Sequence, residues 1–170
     1  MRIEVLTREA FAPFGEVIEL TGAEHYPINS GSTERYHALA HIETDAAGAA
    51  ILSVFRAEPR PLPFTLQEME YHPLGSQAFY PLSGRPYIVV VAQRGEPPRV
   101  DDLRIFLARA DQGVNYAPHV WHHPLLALFD VSDFLIADRQ GPGNNCVVHP
   151  LPPNAILTLE AIRAAIDSLS

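Results

Sequence analysis

A single cysteine, Cys146, stands in 170 residues. An internal disulfide is therefore excluded, and this usage fits a reducing compartment, so a cytoplasmic location is expected. Positive charge is scarce. Twelve Lys and Arg against 20 Asp and Glu give a formal net charge of −8. A surface of that sign has little electrostatic grip on nucleic acid or on an anionic membrane, and neither is expected as a partner. Long apolar runs are missing as well. The longest, 87–92 and 125–129, fall far below the ~20 residues of a membrane-crossing helix and read as buried strands. Met1-Arg2-Ile3-Glu4 carries mixed charge with no apolar stretch behind it, so a secretory leader is not expected.

What is present describes a folded chain. Apolar residues make up 47% and charged residues 19%, the balance of an ordinary globule. The length predicts one domain over 1–170. Sixteen prolines and ten glycines are too many for a helical bundle and point to short strands joined by turns.

Along the chain, Thr7 caps a short helix that Pro13 and Gly15 stop. Strands are predicted at 17–20, 35–44, 49–55, 64–72, 77–82, 86–92, 104–108, 120–129, 133–137 and 146–149, with turns at 83–86 and 94–98. Prolines 59, 61 and 63 bar a central strand there. At 158–169 the period changes: Leu159, Ile162, Ala165, Ile166 and Leu169 form a helical stripe behind Thr158. The expected architecture is all-β, a sandwich or barrel of many short strands with short helices near both ends.

Three constellations carry polar chemistry. In Glu70-x-His72-x4-Gln77-x6-Gly84, Glu70 and His72 share one strand face by period two, and a hairpin brings Gln77 to the same point. The bland alternative is a solvated strand face. In Tyr116-x-Pro118-His119-Val120-Trp121-His122-His123-Pro124, adjacent histidines point to opposite faces, so either Trp121 with His123 or His122 faces inward. One structural histidine packed on Trp121 is the alternative. In Asn29-Ser30-Gly31-x3-Arg35-Tyr36-His37, an arginine sits where a loop enters a strand, placed to clamp a carboxylate with two parallel hydrogen bonds or to form a surface ion pair. His37-x3-His41 has metal-like spacing, but its strand-like context favours packing. No nucleophile elbow, phosphate loop or H-E-x-x-H is found. Cys146 has no basic neighbour in sequence and reads as a packed thiol.

The first constellation resembles cupin motif 1, with Glu70 and Gln77 replacing two of its usual ligands, and Pro118-x-Val120-x2-His123 resembles motif 2 with Val120 in place of glycine. More closely, Phe11-x2-Phe14-Gly15, Asn29-x-Gly31-x3-Arg35-Tyr36-His37, His72-Pro73-Leu74-Gly75-x-Gln77-Ala78-Phe79-x-Pro81, Gln112-Gly113-Val114-x-Tyr116-x4-Trp121-His122-His123-Pro124 and Asp133-Phe134-Leu135-x2-Asp138-Arg139 resemble the ureidoglycolate lyase family over roughly 5–150. The resemblance implies a homodimeric cupin-like antiparallel β-barrel (jelly roll). It also implies cleavage of (S)-ureidoglycolate, a small carboxylate, to glyoxylate and urea in allantoin and purine breakdown. On that footing His72 or His123 is expected as base, with Glu70 or the other histidine as acid and Gln77 on the ureido group. Arg35, Asn29, Ser30, Tyr36, His122, Tyr116 and Trp121 are expected to bind substrate. Either no cofactor is required, or a divalent metal such as nickel sits on Glu70, His72, Gln77 and His123; glutamine is a poor ligand for such an ion. Two other readings stay open: a metal-dependent amidohydrolase that releases ammonia, and a non-catalytic cupin that binds a small carboxylate.

Overall fold

The computed structural model of the chain describes residues 1–169. In chain order its strands are β1 (Ile3–Val5), β2 (Gly15–Ile18), β3 (His25–Ile28), β4 (Thr33–Tyr36), β5 (Ala49–Ala57), β6 (Phe64–Thr65), β7 (Glu68–Tyr71) and β8 (Gln77–Pro81). They continue with β9 (Tyr87–Ala92), β10 (Arg104–Ala108), β11 (Gly113–Tyr116), β12 (Trp121–His122), β13 (Leu126–Ala127), β14 (Ser132–Gln140), β15 (Val147–Pro150) and β16 (Ile156–Leu157). Helix α1 (Arg8–Phe11) follows β1 and α2 (Leu159–Asp167) ends the chain. Thr7 and Thr158 cap them as expected, accepting from the backbone N–H of Ala10 and Ala161.

Two main sheets face each other. One runs β1-β10-β9-β12-β7-β15, with β13 also beside β9; the other runs β2-β11-β8-β14-β5. Their pairings are antiparallel except that β1 lies parallel to β10. This is the mostly antiparallel, jelly-roll-like barrel expected from the strand pattern. Phe11, Phe14, Phe79, Phe106, Tyr116 and Phe134 are among the side chains that fill the space between the sheets. Phe11, Phe14 and Phe106 meet at centroid separations of 5.8–6.3 Å; such aromatic pairs contribute about 0.5–1.5 kcal/mol each beyond area burial. A second cluster lies on the outer side of the larger sheet, where Ile162 and Ala165 of α2 cover Ile88, Val90, Ile105 and Leu107. β9 is an unbroken apolar run because Tyr87, Val89 and Val91 enter the first cluster while Ile88, Val90 and Ala92 enter the second.

Some expected strands are cut short. The 35–44 strand ends at Tyr36, and Ala38 takes φ 47°, which breaks the alternation. The 120–129 strand divides into β12 and β13 around Pro124, which has no N–H to give the ladder. β1, β3, β11 and β16 arise where no strand was expected. β3 and β4 form a separate two-stranded arm. At Gly15, a Cβ would stand 1.9 Å from the Asn115 carbonyl oxygen, so only glycine lets β2 approach β11.

Candidate active site

Alternation along β7 sends Met69 to the outer cluster and Glu70 into the barrel. β12 does the same with Trp121 outward and His122 inward, and the ladder places His122 directly opposite Glu70. His72 follows β7, and its ring centroid is 5.1 Å from that of His122. Glu70, His72 and His122 each offer a ligand atom within 4.8 Å of the others. Gln77 opens β8 across the barrel, with its Oε1 at 3.1 Å from His72 Nε2.

Hydrogen bonds fix which ring atoms are free. His72 Nδ1 lies 2.6 Å from the Asn145 carbonyl oxygen and donates to it, which leaves Nε2 for chemistry. An Nε2–H donates to Gln77 Oε1, and the Gln77 N–H, donating to Asp138, holds that oxygen towards the ring. His122 Nδ1 donates to the Val120 carbonyl at 3.0 Å, and its face stacks on Tyr116 at 4.2 Å between centroids, 7° from parallel. Its Nε2 is buried and, among the described residues, has no hydrogen-bond partner. Glu70 Oε1 stands 3.7 Å from it, too far for a hydrogen bond. Asp138 accepts from the Gln77 amide at 3.4 Å, and its Oδ1 is buried with no partner among the described residues.

Burial sets the proton affinities. It pushes His122 down to about 3, with His72 adding to the effect, so the ring is neutral. Burial pushes the Glu70 carboxyl up, opposed mainly by His72. Burial also raises the Tyr116 phenol, leaving it protonated. Beside these groups lies a cavity of about 490 Å³, lined by Glu70, Gln77, Phe79, Phe55, Pro124 and Leu125 among others. The arrangement holds two imidazole nitrogens, a carboxyl whose proton affinity burial raises and an amide oxygen turned towards His72, all beside a space of substrate size.

A family model described as ureidoglycolate lyase matches residues 1–158. This chain belongs to the ureidoglycolate lyase family. The ureidoglycolate lyase of Burkholderia cepacia is 55% identical over 172 residues, covering 100% of this chain and 97% of that protein. The one from Azotobacter vinelandii is 53% identical over 150 residues, covering 88% and 90%. The one from Pseudomonas syringae pv. syringae is 50% identical over 159 residues, covering 93% and 94%.

Against the expectations for this family, the structure brings Glu70, His72 and Gln77 together but substitutes His122 for His123. The ring of His123 packs edge-on against Phe64 at 5.8 Å, with Nδ1 donating to the Pro124 carbonyl. The histidine phase is therefore the reverse of the one favoured. Trp121 also leaves the cavity: its Nε1 donates to the Gly95 carbonyl at 3.1 Å on the outer face. Tyr116 is in place as the platform under His122. Asn29, Ser30, Arg35 and Tyr36 lie on the exposed β3–β4 arm and its tip, away from this cluster in the same chain. His37 contacts Tyr26, and His41 bonds Glu16, so that pair holds no common ligand. Asp138, Asn145 and Cys146 were not foreseen as neighbours of the site. Cys146 is exposed rather than packed, and its thiol donates to Glu70 Oε2 at 3.6 Å.

The donor set fits a divalent ion. Two imidazoles and one carboxylate suit nickel, zinc or iron, and the unpartnered His122 Nε2 aims a lone pair at the common point. Glu70, His72 and His122 would hold such an ion; His123 would not take part. The Asn145 carbonyl, bonded to the far nitrogen of His72, orients that ring as a supporting group does.

Proposed function

We propose that the chain acts as a homodimeric ureidoglycolate lyase, converting (S)-ureidoglycolate to glyoxylate and urea in the cytoplasm during purine breakdown. The cluster of Glu70, His72 and His122 beside a cavity carries this reading, because the reaction needs a base and an acid on adjacent atoms. His72 takes the hydroxyl proton of the carbinolamide. The carbon–oxygen double bond forms as the carbon–nitrogen bond breaks, and the departing urea nitrogen takes a proton from Glu70. The raised proton affinity of Glu70 suits a donor. His72 suits the base because, once protonated, its Nε2–H has Gln77 Oε1 as an acceptor at 3.1 Å. The Gln77 and Tyr116 environment orients the ureido group and the His122 ring. An ion on Glu70, His72 and His122 would instead supply charge stabilisation for the alkoxide in place of the proton-transfer roles of Glu70 and His72, since His72 Nε2 is the one free nitrogen of that ring.

The nitrogenous product decides between this reading and an amidohydrolase on the same substrate. Purified protein given ureidoglycolate is expected to release urea and glyoxylate in equal amounts, measured with and without urease in the assay. Ammonia appearing without urease would replace the lyase reading with hydrolysis.

A further inference from the structure

We propose that Arg35 holds the substrate carboxylate in trans: the β3–β4 arm of one protomer closes over the active-site cavity of its partner. Given a carboxylate-bearing substrate, as the lyase reading has it, the site needs a cation. Among the described residues that line the cavity, the basic side chain is Arg56, and it is already engaged with a carboxylate. Glu70 and Asp138 carry carboxyl groups and Gln77 an uncharged amide, so these side chains offer a carboxylate no opposite charge. All twelve basic residues are arginines. Among the described residues, seven are ion-paired with carboxylates. Arg56 flanks the cavity, but β5 register places it opposite Asp133, and the two form a bidentate pair at 2.8 Å on the outer face of the sheet. Gln77 and Phe79 lie on the inner face.

Arg35 is exposed and, among the described residues, in no ion pair; its guanidinium lies 6.0 Å from the Tyr26 ring centroid. Its arm is exposed along all of β4 and pairs β3 only with β4. Asn29, Ser30 and Gly31 at the tip have φ of 52°, 57° and 87°. Holding two non-glycine residues there costs free energy, and such strain persists where surroundings or function demand it.

Sheet geometry separates the arm from its own cavity. The arm ends beside β2, where His37 and Ala38 line one cavity with Gly15 and Val17. The cavity opens beside β5, at the opposite edge of the five-stranded sheet. Four strand spacings put roughly 19 Å between those edges, whereas an arm of four-residue strands reaches only about 13 Å.

A two-fold axis along the strands removes that distance. It stacks the outer faces of two five-stranded sheets and sets β2 of one protomer over β5 of the other. The outer face has the chemistry for this. Tyr80, Leu135, Ala137 and Ile18 line an apolar groove on it, whose other wall is Leu39, Ala40 and Ile42 of the same chain, so the open part of the face lies towards β5. Leu52 and Val54 of β5 are 71% and 59% exposed, and they pair with Ala137 and Leu135. The occupant is a second copy of this chain, whose arm then brings the Arg35 guanidinium, in no ion pair among the described residues, to a cavity lined by Glu70 and Gln77.

Complementation tests the arrangement. Arg35→Ala changes an exposed side chain, so the fold should persist, and KM for ureidoglycolate should rise roughly ten- to hundredfold. Arg35→Lys should recover part of that, since it keeps the charge without the fork. Arg35→Ala and Glu70→Gln are then co-expressed with different tags and isolated as the mixed dimer. In trans, the intact site pairs Glu70 of one chain with Arg35 of the other, so the mixed dimer should show about half of wild-type turnover while both parent variants are impaired. A mixed dimer no better than its parents places Arg35 in cis, and an unchanged KM in Arg35→Ala removes it from the site; either overturns the proposal. Wild-type protein that releases no urea but binds glyoxylate, with binding lost in Arg35→Ala, ends the lyase reading and leaves the anchor standing.

Discussion

His122 and His123 are adjacent in sequence and opposite in fate. Their alternation was legible, because period two along a strand sends neighbours to opposite faces. Which of them faces inward was not. That choice follows from Trp121, whose indole N–H reaches the Gly95 carbonyl only from the outer face, and Gly95 lies 26 positions away in sequence. His122→Ala is therefore expected to lower kcat by 10²–10⁴-fold, the usual cost of losing a group acting directly on a proton transfer or its support. His123→Ala should leave kcat within a few-fold, since its ring packs on Phe64. Steady-state kinetics on variants shown folded by circular dichroism check this, and the opposite ranking would restore His123 to the site. Burial of His122 also makes stability depend on pH. Its folded pKa of about 3 lies below the unfolded value of about 6.5. Between those values the unfolded chain binds the extra proton, so folding weakens as pH falls. Metal-free wild-type protein should lose about 2 kcal/mol more than His122→Phe between pH 7 and pH 5 in urea denaturation. Equal losses would show that His122 titrates normally.

At the scale of elements, what could be read depended on whether local sequence or distant packing decided the outcome. α2 was legible because its apolar stripe and its cap lie within one stretch, and Ile162 and Ala165 are the residues it buries. β9 was legible because a run buried on both faces contains no polar residue. The 35–44 strand was misread because Tyr36, Ala38, Ala40 and Ile42 alternate with histidines and leucine as a strand would. The backbone leaves that path at Ala38, and His41 then accepts a fixed place beside Glu16 and Asn115. Those partners are 25 and 74 positions away, beyond any local pattern. The same distance hid Asp138 and Asn145, whose contacts to Gln77 and His72 appear only when β14 and the following turn close the barrel. The polar tip at 29–31 was visible as chemistry, but nothing local showed that it would stand on an exposed arm.

At the scale of the whole molecule, the outer face of the five-stranded sheet decides whether the arm and the cavity belong to one chain or two. A nine-residue edge strand such as β5, carrying Leu52, Val54 and Phe55 partly in solvent, is an association surface unless covered. Stable dimers commonly bury about 800 Å² per partner, which such a face can supply. Replacing Leu52 and Val54 together by Glu places four like charges across a two-fold contact and removes the apolar area that drives it. Light scattering should then move from twice 18.8 kDa towards 18.8 kDa. Both side chains already face outward, so the fold itself should survive, which circular dichroism would establish. The catalytic groups Glu70, His72 and His122 stay intact in that monomer, yet its KM should rise about as far as that of Arg35→Ala, because the arm that serves each site has left with the partner. Adding Arg35→Ala to the monomer should change KM no further. A monomer with wild-type KM would show that each chain completes its own site, and a double variant that remains dimeric would place the interface on another face.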